Sequence, residues 1–181
     1  SGAGQYQLGS WNTAVGGDAL NGLSGTPSGN YNTAIGQWAQ RKSFSSGNTS
    51  VGSQTLAQLT TSSDNNTAIG HYALRNITSN SSGNIALGYR AGDALTTGSN
   101  NIIIGNDVDA STATTSNEIT LGDANITKFR IPGIGVTLTD GIVTIPTPVI
   151  DIDGDVTVGG NFKVVGVSTF QNNVHLLDND N

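Results

Sequence analysis

The feature that most constrains this chain of 181 residues is a five-residue motif that recurs seven times. It is Asn-Thr-Ala-Val-Gly at 12–16, with variants at 32–36, 48–52, 66–70, 84–88, 101–105 and 118–122. The motif glycines are 16 to 20 residues apart. Ankyrin and tetratricopeptide repeats need about 33 residues, because each contains two helices. The short period therefore predicts stacked coils, each made of two short strands and two turns.

Side chains alternate in type within each motif, as a β-strand requires. A branched apolar residue precedes every glycine, and the residue before it is small in the first five copies. We predict that the branched residues fill the coil interior and that the small residues face a closely packed neighbour. The glycine is expected to form a tight corner that a Cβ would obstruct. The predicted repeat core comprises Val15, Gly16, Ile35, Gly36, Val51, Gly52, Ile69, Gly70, Leu87, Gly88, Ile104, Gly105, Leu121 and Gly122.

Such a coil is thin. Stacked strands lie about 4.8 Å apart, so seven coils form a rod roughly 29 Å tall. Two short strands per coil bury too little apolar surface to be stable alone. We therefore expect three copies of the chain to pack around a common axis as a homotrimer.

The repeats from residue 8 to about 122 resemble the head repeats of trimeric autotransporter adhesins of the YadA type, whose unit carries an Asn-x-x-x-Ile-Gly core. The same repeat occurs in tail-fibre proteins of bacteriophages. The resemblance implies an all-β, left-handed parallel β-roll, or solenoid, of about seven short coils. It also implies assembly as a homotrimer and binding to host surface molecules. The connecting segments 21–31 and 41–47 are longer than in that family, and we predict that they are recognition loops.

The pattern changes after Gly122. Residues 136–145 are two β-rich runs joined by Asp140-Gly141, which is the strongest short-range signal of a β-hairpin. Residues 160–176 resemble segments of tail fibres from marine, particularly cyanobacterial, phages. We predict a β-roll over 1–125, a hairpin transition segment over 126–149 and the start of a further trimeric β fibre segment over 150–181.

These features favour a structural and receptor-binding segment of a bacteriophage tail fibre, located at the virion surface and mediating host attachment. Expected partners are two further copies of the chain, a host cell-surface receptor (polysaccharide or protein) and other fibre or virion proteins. The alternative is the head domain of a trimeric autotransporter adhesin, extracellular on a bacterial surface. No coiled-coil heptads follow the roll, which favours the fibre. A polysaccharide depolymerase is the third interpretation.

Composition argues against other classes. The net charge is −6 with only seven Lys and Arg, so the basic footprint of a nucleic-acid-binding protein is missing. No run of about 18 apolar residues is present, so we expect no membrane insertion. The absence of Cys rules out disulfides and thiolate sites.

The sequence shows no catalytic arrangement, and we expect no enzymatic activity, no cofactor and no metal. The carboxylates of the roll are scattered, whereas a glycosidase needs two of them about 5–9.5 Å apart. His71 and His175 lie in different segments, which argues against a zinc site. The run Asp151-Ile-Asp153-Gly-Asp155 imitates a calcium loop, but its twelfth position holds Phe162 instead of Glu. A strand with outward carboxylates is preferred, and a carboxylate ring that holds a structural cation stays open.

Three aromatic residues, Trp38, Tyr72 and Tyr89, fall one or two positions after a motif glycine. Equal register would align them on one side of the rod, where exposed aromatics are a common platform for sugars and protein partners. Packing onto neighbouring coils is an equally supported alternative. Cationic residues follow in similar register, either as a surface charge ladder or as part of a receptor patch: Arg41, Lys42, Arg75 and Arg90.

Threonine rows on flat β-solenoids can bind ice. Thr13, Thr33, Thr49 and Thr67 share one register position. This position lies on the face that we predict to be buried, so we do not expect ice binding.

Overall fold

The computed structural model of the chain describes residues 2–4, 9–22, 29–60 and 62–126. They lie in one compact unit, Ser1–Arg130. Seven three-residue strands and no helix occur in these residues, and no membrane-spanning helix is found among them. In chain order the strands are β1 (Thr13–Val15), β2 (Thr33–Ile35), β3 (Thr49–Val51), β4 (Thr67–Ile69), β5 (Ile85–Leu87), β6 (Ile102–Ile104) and β7 (Ile119–Leu121). The predicted hairpin at 136–145 and the fibre segment over 150–181 lie outside the described residues.

The seven strands form one parallel sheet in sequence order. Equivalent motif positions pair throughout, so Thr13 lies opposite Thr33 and Ile104 lies opposite Leu121. The register does not slip at any step between β1 and β7. This arrangement confirms the predicted all-β solenoid, which makes about six turns.

Each described coil contains one strand, not the predicted two. After the motif glycine the backbone adopts left-handed conformations at the second and fourth positions, as at Trp38 (φ 61°) and Gln40 (φ 47°). These conformations interrupt an extended run. This part of the coil is still hydrogen-bonded to the next coil: the Gln40 N–H donates to the Thr55 carbonyl at 2.9 Å. Each coil therefore has a strand side and a turn side.

The two faces of the strands are the reverse of the prediction. Ala34, Ala68 and Ala86 are fully buried, whereas Ile69 and Leu87 are 40% and 45% exposed. The small residues point into the coil, and the branched apolar residues point out of it. The correction applies to the whole predicted row, in which Val51 is half-buried and the other members are exposed: Val15, Ile35, Val51, Ile69, Leu87, Ile104 and Leu121.

The physical reason is that the narrow interior is filled from the turn side. Leu20, Leu56 and Leu74 each lie four positions after a motif glycine and are fully buried. They leave room for only a small side chain from the strand. Where Gly92 takes the leucine position, Ile103 takes the alanine position of the next strand. A Cβ added at Gly92 would lie 3.1 Å from Ile103 Cδ1, so the larger strand residue fills the space that the missing leucine leaves.

A polar version of this exchange joins the second and third coils. Gln40 takes the leucine position, and Ser50 takes the alanine position. Both residues are fully buried. Gln40 Nε2 donates to Ser50 Oγ and to the Thr33 carbonyl, each at 3.0 Å. The serine in the third motif is therefore matched to a polar neighbour from the turn side.

The motif asparagines form a ladder at the entrance to the strands. Asn12 Oδ1 accepts a hydrogen bond from the Asn32 backbone N–H at 2.8 Å, and this bond repeats at every step as far as Asn101. Asn101 Oδ1 then accepts from the Glu118 N–H at 3.0 Å. Because Asn32 to Asn101 of the ladder are buried, these bonds satisfy polar groups that would be costly to leave unpaired.

The motif glycines form the corner at the strand exit. Gly52 has φ 133°, and a Cβ added to it would lie 2.6 Å from the Gly70 carbonyl oxygen. Successive corners therefore stack backbone on backbone, which only glycine permits. The corner separates the strand side from the turn side of every coil.

Candidate functional site

One exposed surface is the outward face of the parallel sheet, which we call the outer sheet face. It presents two columns that run through all seven strands. One column contains Thr13, Thr33, Thr49, Thr67, Ile85, Ile102 and Ile119, and the other contains Val15, Ile35, Val51, Ile69, Leu87, Ile104 and Leu121. No residue in either column is charged. Contiguous exposed apolar patches of proteins mark interaction sites.

The threonine column lies on this outer face, so the premise on which ice binding was set aside is wrong. Thr33, Thr49 and Thr67 are half-buried in the single chain and do not point into the coil. From β5 onward isoleucine replaces threonine, and Ile85 and Ile119 are 43% and 67% exposed. A face that becomes wholly apolar along its length is better suited to contact with another protein chain than to an ordered array of hydroxyl groups.

A second exposed surface lies on the turn side. It consists of the side chains that are not buried among the six residues after each of the first six motif glycines, and we call it the post-glycine ridge. The second position of the first six turns forms a column, which contains Asp18, Trp38, Gln54, Tyr72, Arg90 and Asp107. Coil-to-coil backbone bonds set this register, such as that from the Trp38 N–H to the Gly17 carbonyl at 2.9 Å.

Side chains of this column also contact each other between coils. Trp38 Nε1–H donates to Asp18 Oδ2 at 3.3 Å, and Gln54 Nε2–H donates to the Tyr72 hydroxyl at 3.3 Å. Hydrogen bonds between coils therefore help to hold the side chains of this column in place. Such positions present polar and aromatic groups at a regular spacing of about 4.8 Å.

The structure brings the three predicted recognition residues onto this ridge. Trp38 and Tyr72 occupy equivalent positions two coils apart and are half-buried. Tyr89 lies one position earlier in its turn and is 46% exposed. His71 joins the two tyrosines, with ring centroids 3.7 Å from Tyr72 and 5.8 Å from Tyr89. Tyr72 and Tyr89 thus form one aromatic cluster, and Trp38 stands in a separate contact group.

Each of the two aromatic residues in the column carries an arginine three residues later. The Arg41 guanidinium lies 5.0 Å from the Trp38 ring centroid, and that of Arg75 lies 4.6 Å from the Tyr72 centroid. Stacking on an aromatic face limits the motion of a guanidinium and leaves its donors available to an acceptor. The same aromatic–arginine pair is therefore built twice on the ridge.

The two aromatic–arginine pairs differ in whether a carboxylate neutralises the arginine. Arg75 Nε and Arg90 Nε lie 3.3 and 3.2 Å from the carboxylate of the buried Asp93. Arg90 also contacts Asp107 at 2.9 Å. The hydrogen bond to Asp93 and the nearby charge of Asp107 raise the pKa of Arg90. These cations are neutralised within the protein.

The other two cations have no such partner. Lys42 Nζ donates to Gln58 Oε1 at 3.1 Å, and Arg41 lies over Trp38. Among the described residues the ion pairs involve only Arg75, Arg90, Asp93 and Asp107, so neither Arg41 nor Lys42 is paired with a carboxylate there. This end of the ridge therefore carries two cations outside any ion pair, with the Asp18 carboxylate bound to the Trp38 indole N–H beside them.

A further aromatic pair lies before the motif asparagines: Trp11 and Tyr31 are 73% and 61% exposed. Their rings stack with centroids 4.8 Å apart and an interplanar angle of 7°. Both occupy the position before the motif asparagine with φ near 60°, where other coils have Gly or Asn. Bulky residues rarely adopt that conformation. An aromatic residue at a position that holds Gly or Asn in the other coils is the sequence feature that could have predicted this exposed pair.

The predicted recognition segment 41–47 is only partly exposed. Ser43 and Ser45 are buried, and Ser45 Oγ donates to the Thr60 carbonyl at 3.0 Å. The segment after Lys42 therefore closes the coil and does not extend from it as a loop. Within segment 21–31, residues 23–28 lie outside the part of the chain that the structure describes.

Carboxylates within the described ranges are held by neighbours and are not gathered around a cleft. Glu118 accepts from the Ser111 N–H at 2.8 Å and from the Thr120 hydroxyl at 2.7 Å. The Ser111 hydroxyl, then that of Thr120, lowers the pKa of Glu118. In these ranges no three His, Asp or Glu side chains are grouped as a metal site. The Asp151–Asp155 run lies beyond them.

Comparison of the chain with protein-family models, curated proteins and solved structures finds no match. The resemblance to YadA-type heads and phage fibres therefore stays a prediction from the motifs.

Proposed function

We propose that the protein is a structural and receptor-binding segment of a homotrimeric fibre, specifically a bacteriophage tail fibre that mediates host attachment. The observation that carries this proposal is the outer sheet face, an uncharged, largely apolar surface that runs through all seven strands. Such a surface needs a partner in water, because exposed apolar area is costly. Further copies of this chain are the occupant that fits it best.

Charge and register support self-association. Two copies of a chain with a net charge of −6 repel each other over most of their surface, and the outer sheet face carries no charge. The columns of the outer sheet face are in register. If the copies are related by a rotation axis parallel to the stack of coils, each residue lies at the same height as the same residue of the other copies. The residue at the centre of the stack, Ile69, would then pack against the same residue of its neighbours.

The number of copies and the handedness of the roll come from the resemblance to YadA-type heads, which implies three left-handed rolls. In that arrangement the strand sides pack together, and the post-glycine ridge is repeated three times around the fibre. Three equivalent sites that bind one surface gain affinity through multivalency without any strong single site.

A direct test of association is multi-angle light scattering of the full chain. Three times the mass of one chain supports the proposal, and a stable monomer contradicts it. Immunoelectron microscopy with antibodies against the roll then separates the two biological settings. Label along a tail fibre of a virion supports the phage assignment, whereas label on a bacterial outer surface selects the adhesin head.

A further inference from the structure

All described cations lie on the post-glycine ridge. Arg41, Lys42, Arg75 and Arg90 fall two to six positions after a motif glycine. The nearby rings fall one or two positions after one: Trp38, His71, Tyr72 and Tyr89. The strand side carries no charge at all. The described cations therefore lie on the turn side beside Trp38, Tyr72 and Tyr89, and four carboxylates share these turns: Asp18, Asp93, Asp107 and Asp109.

The aromatic–arginine pair repeats along a straight line. Trp38 with Arg41 and Tyr72 with Arg75 occupy the same positions of their turns, two coils apart. Two strand spacings correspond to about 10 Å. A ligand that contacts both pairs in the same way must itself repeat on this scale, as a linear polymer does.

The two pairs differ in the charge that they offer to a ligand. Asp93 neutralises Arg75, whereas no described carboxylate pairs with Arg41 or Lys42. Trp38 supports the Arg41 guanidinium, and its own indole N–H is bound to Asp18. A planar guanidinium held in this way presents a pair of donors that matches a carboxylate.

We propose that the post-glycine ridge binds an acidic polysaccharide, with Trp38, Arg41 and Lys42 forming the subsite for a sugar that carries a carboxylate. The inference rests on the proposed receptor-binding function and names the class of its ligand. The carboxylate pairs with Arg41 and Lys42, and a sugar ring packs against the exposed part of Trp38. Tyr72, Tyr89 and Gln54 contact further units of the same chain.

A polysaccharide fits these observations better than the other polymeric or folded partners. The ridge offers equivalent positions along a line and alternates aromatic with hydrogen-bonding groups, which suits a repeating chain of rings and hydroxyls. A folded protein partner would be expected to bury a central cluster of anchors. A nucleic acid would need many phosphate contacts, and the ridge offers only two unpaired cations.

The test is binding of the full chain to immobilised polygalacturonate, with dextran as the neutral polymer and a single-stranded oligonucleotide as the alternative polyanion. Arg41→Gln is the test variant, and Arg90→Gln is its matched control, because each removes one positive charge from the ridge. Arg41→Lys keeps the charge and removes the planar guanidinium. Circular dichroism of each variant checks that the fold is retained.

The proposal predicts clear binding to polygalacturonate and little to dextran. Arg41→Gln should weaken it about tenfold, Arg41→Lys by less, and Arg90→Gln by under about twofold. Equal binding to dextran, tighter binding to the oligonucleotide, or identical affinity of the Arg41→Gln and parent chains overturns it. Light scattering on the same samples keeps the two proposals apart, because a trimer that ignores polygalacturonate refutes only the ligand assignment.

Discussion

The strand side and the turn side of this solenoid come from the same repeat but carry different kinds of side chain. On the strand side every coil presents a Thr or Ile and a branched apolar residue, and no charge interrupts the columns. On the turn side the second position alone holds Asp, Trp, Gln, Tyr and Arg. Uniformity suits the contact between copies that we propose for the strand side, whereas varied chemistry suits the ligand binding that we propose for the turn side. Because the glycine corner separates the two sides, the side chains of the turn side differ from coil to coil while those of the strand side stay alike.

The largest effect is expected from breaking that corner. Gly52→Ala places a Cβ 2.6 Å from the Gly70 carbonyl oxygen at φ 133°. We expect a loss of about 3 kcal/mol or more in the free energy of unfolding, from strain and overpacking together. Chemical denaturation measures it. The control is Gly17→Ala, where an added Cβ meets nothing within 4 Å; equal losses in both variants would refute the stacked-corner account.

Ile103 and Ile104 test the two faces of one strand. Ile103 is fully buried, and Ile104 is 38% exposed. Ile103→Ala should lower the free energy of unfolding by about 3 kcal/mol through the cavity it leaves. Ile104→Ala should mainly shift association toward lower mass at low concentration. If denaturation and light scattering show the reverse assignment, the corrected orientation of the strands is wrong.

A smaller effect is expected at the entrance to the strand. Gly83 has φ 69°, and its equivalents in other coils include Asn65 (φ 60°) and Asn100 (φ 58°). Gly83→Asn should change the free energy of unfolding by less than about 0.5 kcal/mol, since Asn tolerates this conformation. Gly83→Val should cost about 1–2 kcal/mol, because a β-branched residue does not. Similar melting curves for Gly83→Asn and Gly83→Val would argue against a left-handed backbone conformation at residue 83.

The mildest change concerns pH. Hydrogen bonds from Ser111 and Thr120 lower the pKa of Glu118, so the ionised group stabilises the folded state above its unfolded pKa. That stability is lost as pH falls below about 4.5 and through the folded pKa. The melting temperature of Glu118→Gln should therefore fall less over this range than that of the parent. Parallel pH profiles would contradict the assignment.

The repeats predicted a large part of this fold, because each residue faces its own equivalent in the next coil. The motif spacing alone indicates parallel strands in register. What alternation cannot reveal is which face of a three-residue strand points inward. That choice depends on Leu20, Leu56 and Leu74, which enter the interior from the turn side and leave little room for the strand. Their recurrence four positions after the glycine was visible in the sequence, and so were the matched pairs Gly92–Ile103 and Gln40–Ser50.

The candidate site was predictable to a similar extent. Equal register predicts Trp38, Tyr72 and Tyr89 on one side of the coils, and in the structure the turns that carry them stack as the strands do. Their role in recognition stays a prediction, since these rings also contact neighbouring coils. The difference between the neutralised and unpaired arginines was not predictable. It depends on the buried Asp93, which lies three residues after Arg90 and contacts both Arg90 and Arg75 of the preceding coil. Sequence position alone does not fix the geometry of three side chains from two coils.

The central claim is that the outer sheet face joins copies of this chain. Its most direct test is the mass in solution of the full chain, of Ile69→Glu and of Gln37→Glu, which puts the same charge on the exposed ridge. We predict three times the mass of one chain for the parent and for Gln37→Glu, and a single chain for Ile69→Glu, since charges buried at the contact carry a large desolvation penalty. A monomeric parent, or an Ile69→Glu variant that keeps the parent mass, would contradict the account.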